Sequence, residues 1–172
     1  MVEVRLRAVR VDLQSNTPVL LLQESEGLGR TLPIFIGAPE ATAIAFALQG
    51  MDTPRPMTHD LIRDLLDALG ADVVRVVITE LKTATYFAEI VLRHGEQEIP
   101  VSSRPSDAVA VAVRTAAPLF VADDLMDSEG IMLAVDEEED DASEDDDGSN
   151  PDELVGEFRT FLDSIRPEDF SS

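Results

Sequence analysis

The chain has no cysteine and no tryptophan, and only one tyrosine and one lysine. The lack of cysteine excludes disulfides, thiolate zinc sites and a cysteine nucleophile. No apolar run is long enough to span a bilayer and no stretch reads as a secretory leader, so the expected address is the cytoplasm, away from membranes. Also missing are the P-loop, the Gly-x-Gly-x-x-Gly turn, the Gly-x-Ser-x-Gly elbow, the His-Glu-x-x-His helix and the classical nucleic-acid modules. Positive charge is scarce: 13 Lys and Arg stand against 35 Asp and Glu, a formal net charge of −22. Attraction of a phosphate backbone by overall basicity is therefore excluded. Residues 1–135 hold 11 basic and 19 acidic groups, whereas 136–172 hold 2 and 16. Any contact with nucleic acid must come from a local arginine cluster.

What is present is enough apolar material, 44% of 172 residues, for one proper core. Alternation of Val2, Val4 and Leu6 with Glu3, Arg5 and Arg7 predicts a strand over Val2 to Leu13. Strands over Val19 to Gln23 and Thr31 to Ile36 follow across polar turns. Pro39 opens a helix rich in alanine that Gly50 closes. Thr58 is expected to cap a second helix, with Leu61, Ile62, Leu65, Leu66 and Leu69 at core spacing and Gly70 as its stop. Strands are expected at Val73 to Leu81, Tyr86 to Leu92, Gln97 to Val101 and Leu119 to Val121. Hairpin connections dominate, so the fold class is α+β, a mixed and largely antiparallel sheet with packed helices. The expected division is a domain over 1–135, an acidic linker over 136–150 and a C-terminal amphipathic helix over 151–172. The linker is solvated and self-repelling, and the helix carries Leu154, Phe158, Phe161 and Ile165 on one stripe.

The stretch Arg104 to Arg114 puts polar groups at both ends of an uncharged helix. Pro105 suits the first helical turn, Ser103 is the expected N-cap, and Asp107 complements the helix dipole. Ala108 to Val113 is apolar on every face and predicts a helix enclosed by protein. Two readings stay open here. In one, Asp107 satisfies helix-end amides while Arg104 and Arg114 pair internally; in the other, Arg104, Ser106 and Asp107 converge on a ligand. Further polar clusters occur at Gly37 to Glu40 and Arg55 to Asp60, and both include predicted helix starts. His59 beside Asp60 suits acid/base work or metal ligation, against the plainer reading of a helix-start histidine with a backbone partner. Glu40, Asp60 and Asp107 are oxygen donors of the kind that hold Mg²⁺ or Mn²⁺, or else ordinary first-turn carboxylates. Tyr86 and Phe87 fall on opposite faces of one strand, so at most one faces the core and the other is free to stack on a base. His94, in a polar turn, is expected to be exposed.

Three separated motifs carry a family likeness: Leu-Pro-Ile-Phe-Ile-Gly-Ala-Pro-Glu-Ala at 32–41, Arg-Pro-Met-Thr-His-Asp-Leu at 55–61 and Ser-Arg-Pro-Ser-Asp-Ala at 103–108. In this order the chain resembles the bifunctional nuclease domain family, as a bacterial member with an acidic C-terminal extension. The resemblance covers about residues 1–135 and implies an α+β domain associated with DNase and RNase activity in a plant member. Carried onto this sequence, the motifs mark Glu40, Arg55, His59, Asp60, Arg104, Ser106 and Asp107 as site candidates. The expected catalytic residues are His59, Asp60, Asp107 and Glu40, with Asp60 and Asp107 holding Mg²⁺ or Mn²⁺. Arg55, Arg104, Ser106 and Arg114 are expected to bind substrate. The expected partners are DNA or RNA, a protein for the C-terminal helix, and a further copy of the chain. The alternative is a non-catalytic anion-binding or protein-interaction module using the same pocket.

Overall fold

A computed structural model describes residues 1–133 apart from Gln14 and Asp52. The acidic run at 136–150 and the helix expected over 151–172 lie outside the described residues. The elements run β1 (Val2–Asp12), β2 (Thr17–Glu24), β3 (Thr31–Phe35), α1 (Ala38–Leu48), α2 (Thr58–Ala68), β4 (Ala71–Lys82), β5 (Thr85–His94), β6 (Gln97–Ser103), α3 (Pro105–Thr115), β7 (Leu119–Val121) and α4 (Asp123–Glu129).

The seven strands form one sheet in the order β3-β2-β1-β7-β4-β5-β6. All neighbours are antiparallel except β4 and β7, which pair in parallel. The sheet is thus mixed and largely antiparallel, as the hairpin-dominated sequence implied. Two meanders, β1-β2-β3 and β4-β5-β6, meet only through the three residues of β7. To reach that central slot the chain leaves the edge strand β6 and crosses over through α3, whose middle, Ala108 to Val113, is apolar all round and lies between the sheet and the helices α1 and α2. Both edges carry a proline, Pro33 opposite Leu21 and Pro100 opposite Val91. A missing N–H at each edge discourages further strand pairing.

The core joins Leu20, Leu22, Leu32 and Ile34 to Val76, Ile78 and Val121 of the sheet, under Ala41 and Ile44 of α1 and Ala108 to Ala110 of α3. Alanines on both α1 and α3 let the two helices approach closely. Tyr86 packs against this core while Phe87 is exposed, so the alternation read from the sequence holds. His94 is exposed as expected.

Three local expectations are corrected. The N-cap of α3 is Arg104 and not Ser103, because Pro105 takes the first helical position and holds its predecessor extended at φ −74°, ψ 146°. The N-cap of α2 is Met57, with Thr58 already helical. Of the apolar residues expected in the core at α2, Leu61, Leu65 and Leu69 are 49%, 53% and 69% exposed while Ile62 and Leu66 are half-buried, and His59 is the buried residue of that helix. α4, absent from the sequence reading, is a short acidic-started helix that buries Leu125 and Met126.

Candidate functional site

Three helices begin with the same device. α1, α2 and α3 each carry a carboxylate at the third helical position, Glu40, Asp60 and Asp107 respectively. A negative group there complements the free N–H groups and the positive end of the helix dipole. Their other contacts separate them into two clusters.

The first cluster gathers around Arg104. Its Nε donates to Asp107 Oδ2 at 2.6 Å and its Nη2 to Asp107 Oδ1 at 3.0 Å, a two-point grip along one edge of the guanidinium. The same Nη2 donates to Glu40 Oε1 at 2.9 Å, so α1 and α3 are joined at their starts. On the far side of Asp107, His59 Nε2 lies 3.1 Å from Oδ1. No partner for His59 Nδ1 occurs among the described residues. Side-chain exposure rises through the cluster, from 9% for His59 through 17% for Glu40 and 27% for Asp107 to 65% for Arg104. The arginine is therefore the part that meets solvent. Burial pushes the Asp107 carboxyl up, but hydrogen bonds from Arg104 and His59 outweigh it and hold the group below the usual carboxylate range. Asp107 and Glu40 in turn raise the Arg104 guanidinium.

Glu40 keeps its place because Gly37 has no side chain. A Cβ built on Gly37 would overlap Glu40 Oε2, so the carboxylate folds back over its own helix start into space that only glycine leaves open. Gly37 was not among the expected site residues; the signal was a glycine at the N-cap three positions before a glutamate.

The stretch 20–134, which contains every member of this cluster, matches the model of the bifunctional nuclease domain. The chain belongs to the bifunctional nuclease domain family. It is 42% identical over 170 residues to an uncharacterized protein of Mycobacterium tuberculosis, covering 99% of this chain and 98% of that one. It is 27% identical over 119 residues to bifunctional nuclease 1 and 31% identical over 117 residues to bifunctional nuclease 2 of Arabidopsis thaliana. Those alignments cover 67% and 66% of this chain but only 37% and 36% of the plant proteins. In this bifunctional nuclease domain β1 precedes the matched stretch, yet it pairs with both β2 and β7 and is integral to the sheet.

The second cluster of the domain belongs to Arg114 and Asp60. The Arg114 side chain is 4% exposed, and its guanidinium donates through Nε to Asp60 Oδ1, through Nη1 to Ala110 O at 3.0 Å and through Nη2 to Ala43 O at 2.9 Å. One side chain thus ties α1, α2 and α3 together. The other oxygen of Asp60 accepts the Met57 N–H at 3.0 Å. Burial raises the Asp60 carboxyl, and the hydrogen bonds from Arg114 and Met57 more than reverse that. In this geometry Arg114, expected to bind substrate, and Asp60, expected as a catalytic or metal-binding group, are both engaged in holding the helices. They line a cleft of about 220 Å³ with Phe46, Met51, Met57 and Arg63.

Two candidates stand apart. Arg55 is exposed in the segment before α2, and its guanidinium has no ion-pair partner among the described residues. Ser106 is buried at the second position of α3 without a side-chain hydrogen bond among them. As for a metal, no group of three or more His, Asp or Glu side chains among the described residues is arranged to hold one. Asp107 faces Arg104 and His59, and Asp60 faces Arg114. Among the described residues the oxygens of Asp60 and Asp107 are turned to separate arginines and not to one common point, whereas Mg²⁺ or Mn²⁺ needs several oxygen donors converging. No described helix is long and apolar enough to cross a membrane.

Proposed function

We propose that this domain hydrolyses phosphodiester bonds in DNA and RNA at the cluster of Glu40, His59, Arg104 and Asp107. The observation that carries the reading is the convergence of an exposed arginine at the start of α3 with a hydrogen-bonded aspartate–histidine pair, Asp107 from α3 and His59 from α2. Arg104 supplies a planar, permanently charged fork for a phosphate and stabilises the charge that develops on it. Asp107 orients the imidazole through Nε2, leaving Nδ1 of His59 to take a proton from the attacking water or return one to the leaving oxygen. Names of the plant relatives and the family's own name favour this chemistry over other uses of an arginine–carboxylate cluster.

The test is incubation of the purified protein with single-stranded DNA and RNA, beside Arg104→Gln and Arg55→Gln. Cleavage by the wild type that Arg104→Gln removes and Arg55→Gln largely spares is the expected result. Binding of the oligonucleotide through Arg104 with no turnover would instead establish the non-catalytic anion-binding module. Wild-type protein that neither binds nor cleaves would remove both.

A further inference from the structure

The arrangement of donors on Arg104 has a consequence for how the site admits a phosphate. A guanidinium offers two edges that can grip an oxyanion with two parallel N–H groups, one formed by Nε and Nη2 and one by Nη1 and Nη2. Asp107 occupies the first edge with both oxygens. Glu40 holds the remaining hydrogen of Nη2. Nη1 makes no hydrogen bond among the described residues. The second edge is therefore half taken and half open, on a side chain that is 65% exposed. A phosphate gripping that edge must displace the Glu40 carboxylate from Nη2. Two carboxylates, Glu40 and Asp107, also share the one guanidinium of Arg104, which opposes an anion until one of them withdraws.

We propose that Glu40 is a gate: it competes internally for the fork of Arg104 that binds the substrate's phosphate, and it sets the affinity and salt dependence of that binding. The proposal rests on the phosphodiester reading for the identity of the anion, but the competition itself is a matter of binding. Gly37 makes room for the closed position, since its missing Cβ lets the Glu40 carboxylate lie over the helix start.

The experiment measures binding of a short fluorescein-labelled thymidine oligonucleotide with phosphorothioate linkages, by anisotropy at low salt in EDTA. The proteins compared are the full-length wild type, Glu40→Gln, Arg104→Gln, the double variant, and Glu96→Gln in the exposed turn between β5 and β6. Glu40→Gln is expected to tighten binding by about five- to tenfold, from the loss of one ion pair and one repulsive charge at close range. The gain should be absent on the Arg104→Gln background, absent in Glu96→Gln, and reduced at high salt. Unchanged or weaker binding by Glu40→Gln, an equal gain without Arg104, or no binding by any form would overturn the gate. The expected pattern in a protein that cleaves nothing would keep the gate and remove the hydrolytic reading. Wild-type cleavage with binding indifferent to Glu40 would do the reverse.

Discussion

Arg114 should prove a structural residue, and the prediction can be worked from its contacts. Arg114→Met keeps much of the volume of the side chain but removes the Asp60 partner and the donors to Ala43 O and Ala110 O. Arg114 is 4% exposed and Asp60 is 22% exposed, so the carboxylate left behind cannot recover full hydration. Breaking such a pair from one side costs about 3–5 kcal/mol, most of it the stranded charge. For a domain of this size that corresponds to a fall in melting temperature of roughly 10–18 °C. Urea and thermal unfolding of the wild type, Arg114→Met, Asp60→Asn and the double variant measure it. The double variant should be more stable than the sum of the two single losses allows, by about 1–3 kcal/mol, because it no longer strands a charge. A loss under about 1 kcal/mol for Arg114→Met, or strict additivity, would refute the view that this arginine ties three helices together. It would also return Arg114 to the list of groups available to a ligand.

Other consequences follow from the same geometry. Asp60, Asp107 and Glu24, the last held down chiefly by its hydrogen bond from Arg30, all have folded-state carboxyls below their ordinary values. Their stabilisation is fully present above the ordinary values of 3.8 and 4.5 and is lost as pH falls through the depressed ones. Urea midpoints should therefore be flat from neutral pH down to about 5 and then drop steeply, and a midpoint that rises on acidification would contradict the assignment. EDTA should leave cleavage largely intact, because the carboxylates are already paired with arginine; loss restored by Mn²⁺ would show that a cation displaces Arg104. Gly37→Ala has an ordinary φ of −73° to occupy, so it should fold, yet it should reproduce part of the Glu40→Gln gain by crowding the carboxylate. Unaltered oligonucleotide binding would count against Gly37 as the space for Glu40.

Strand periodicity and turn residues made the two meanders, the alanine-rich α1 and the enclosed α3 legible from the sequence. The convergence of Glu40, His59, Arg104 and Asp107 was legible only as a set of candidates at helix starts. Residue types could name the charged groups but not pair them, and pairing is what divided Asp107, facing an exposed arginine, from Asp60, facing a buried one. Adjacent positions on α2, His59 and Asp60, point into different clusters because neighbours on a helix are about 100° apart. The same rotation explains the misread leucines: with His59 on Asp107 and Asp60 on Arg114, Leu61, Leu65 and Leu69 turn outward. α4 escaped notice because seven residues, mostly acidic, show too little periodicity to mark a helix.

The proposed hydrolysis at the Arg104 cluster stands or falls on whether its imidazole moves a proton. The direct measurement is the single-turnover rate of cleavage of a single-stranded oligonucleotide at saturating protein, for wild type and His59→Gln, well below the melting temperature of either. A fall of about 10² or more at unchanged binding is the predicted result. Equal rates in the two proteins would place the chemistry elsewhere in the molecule.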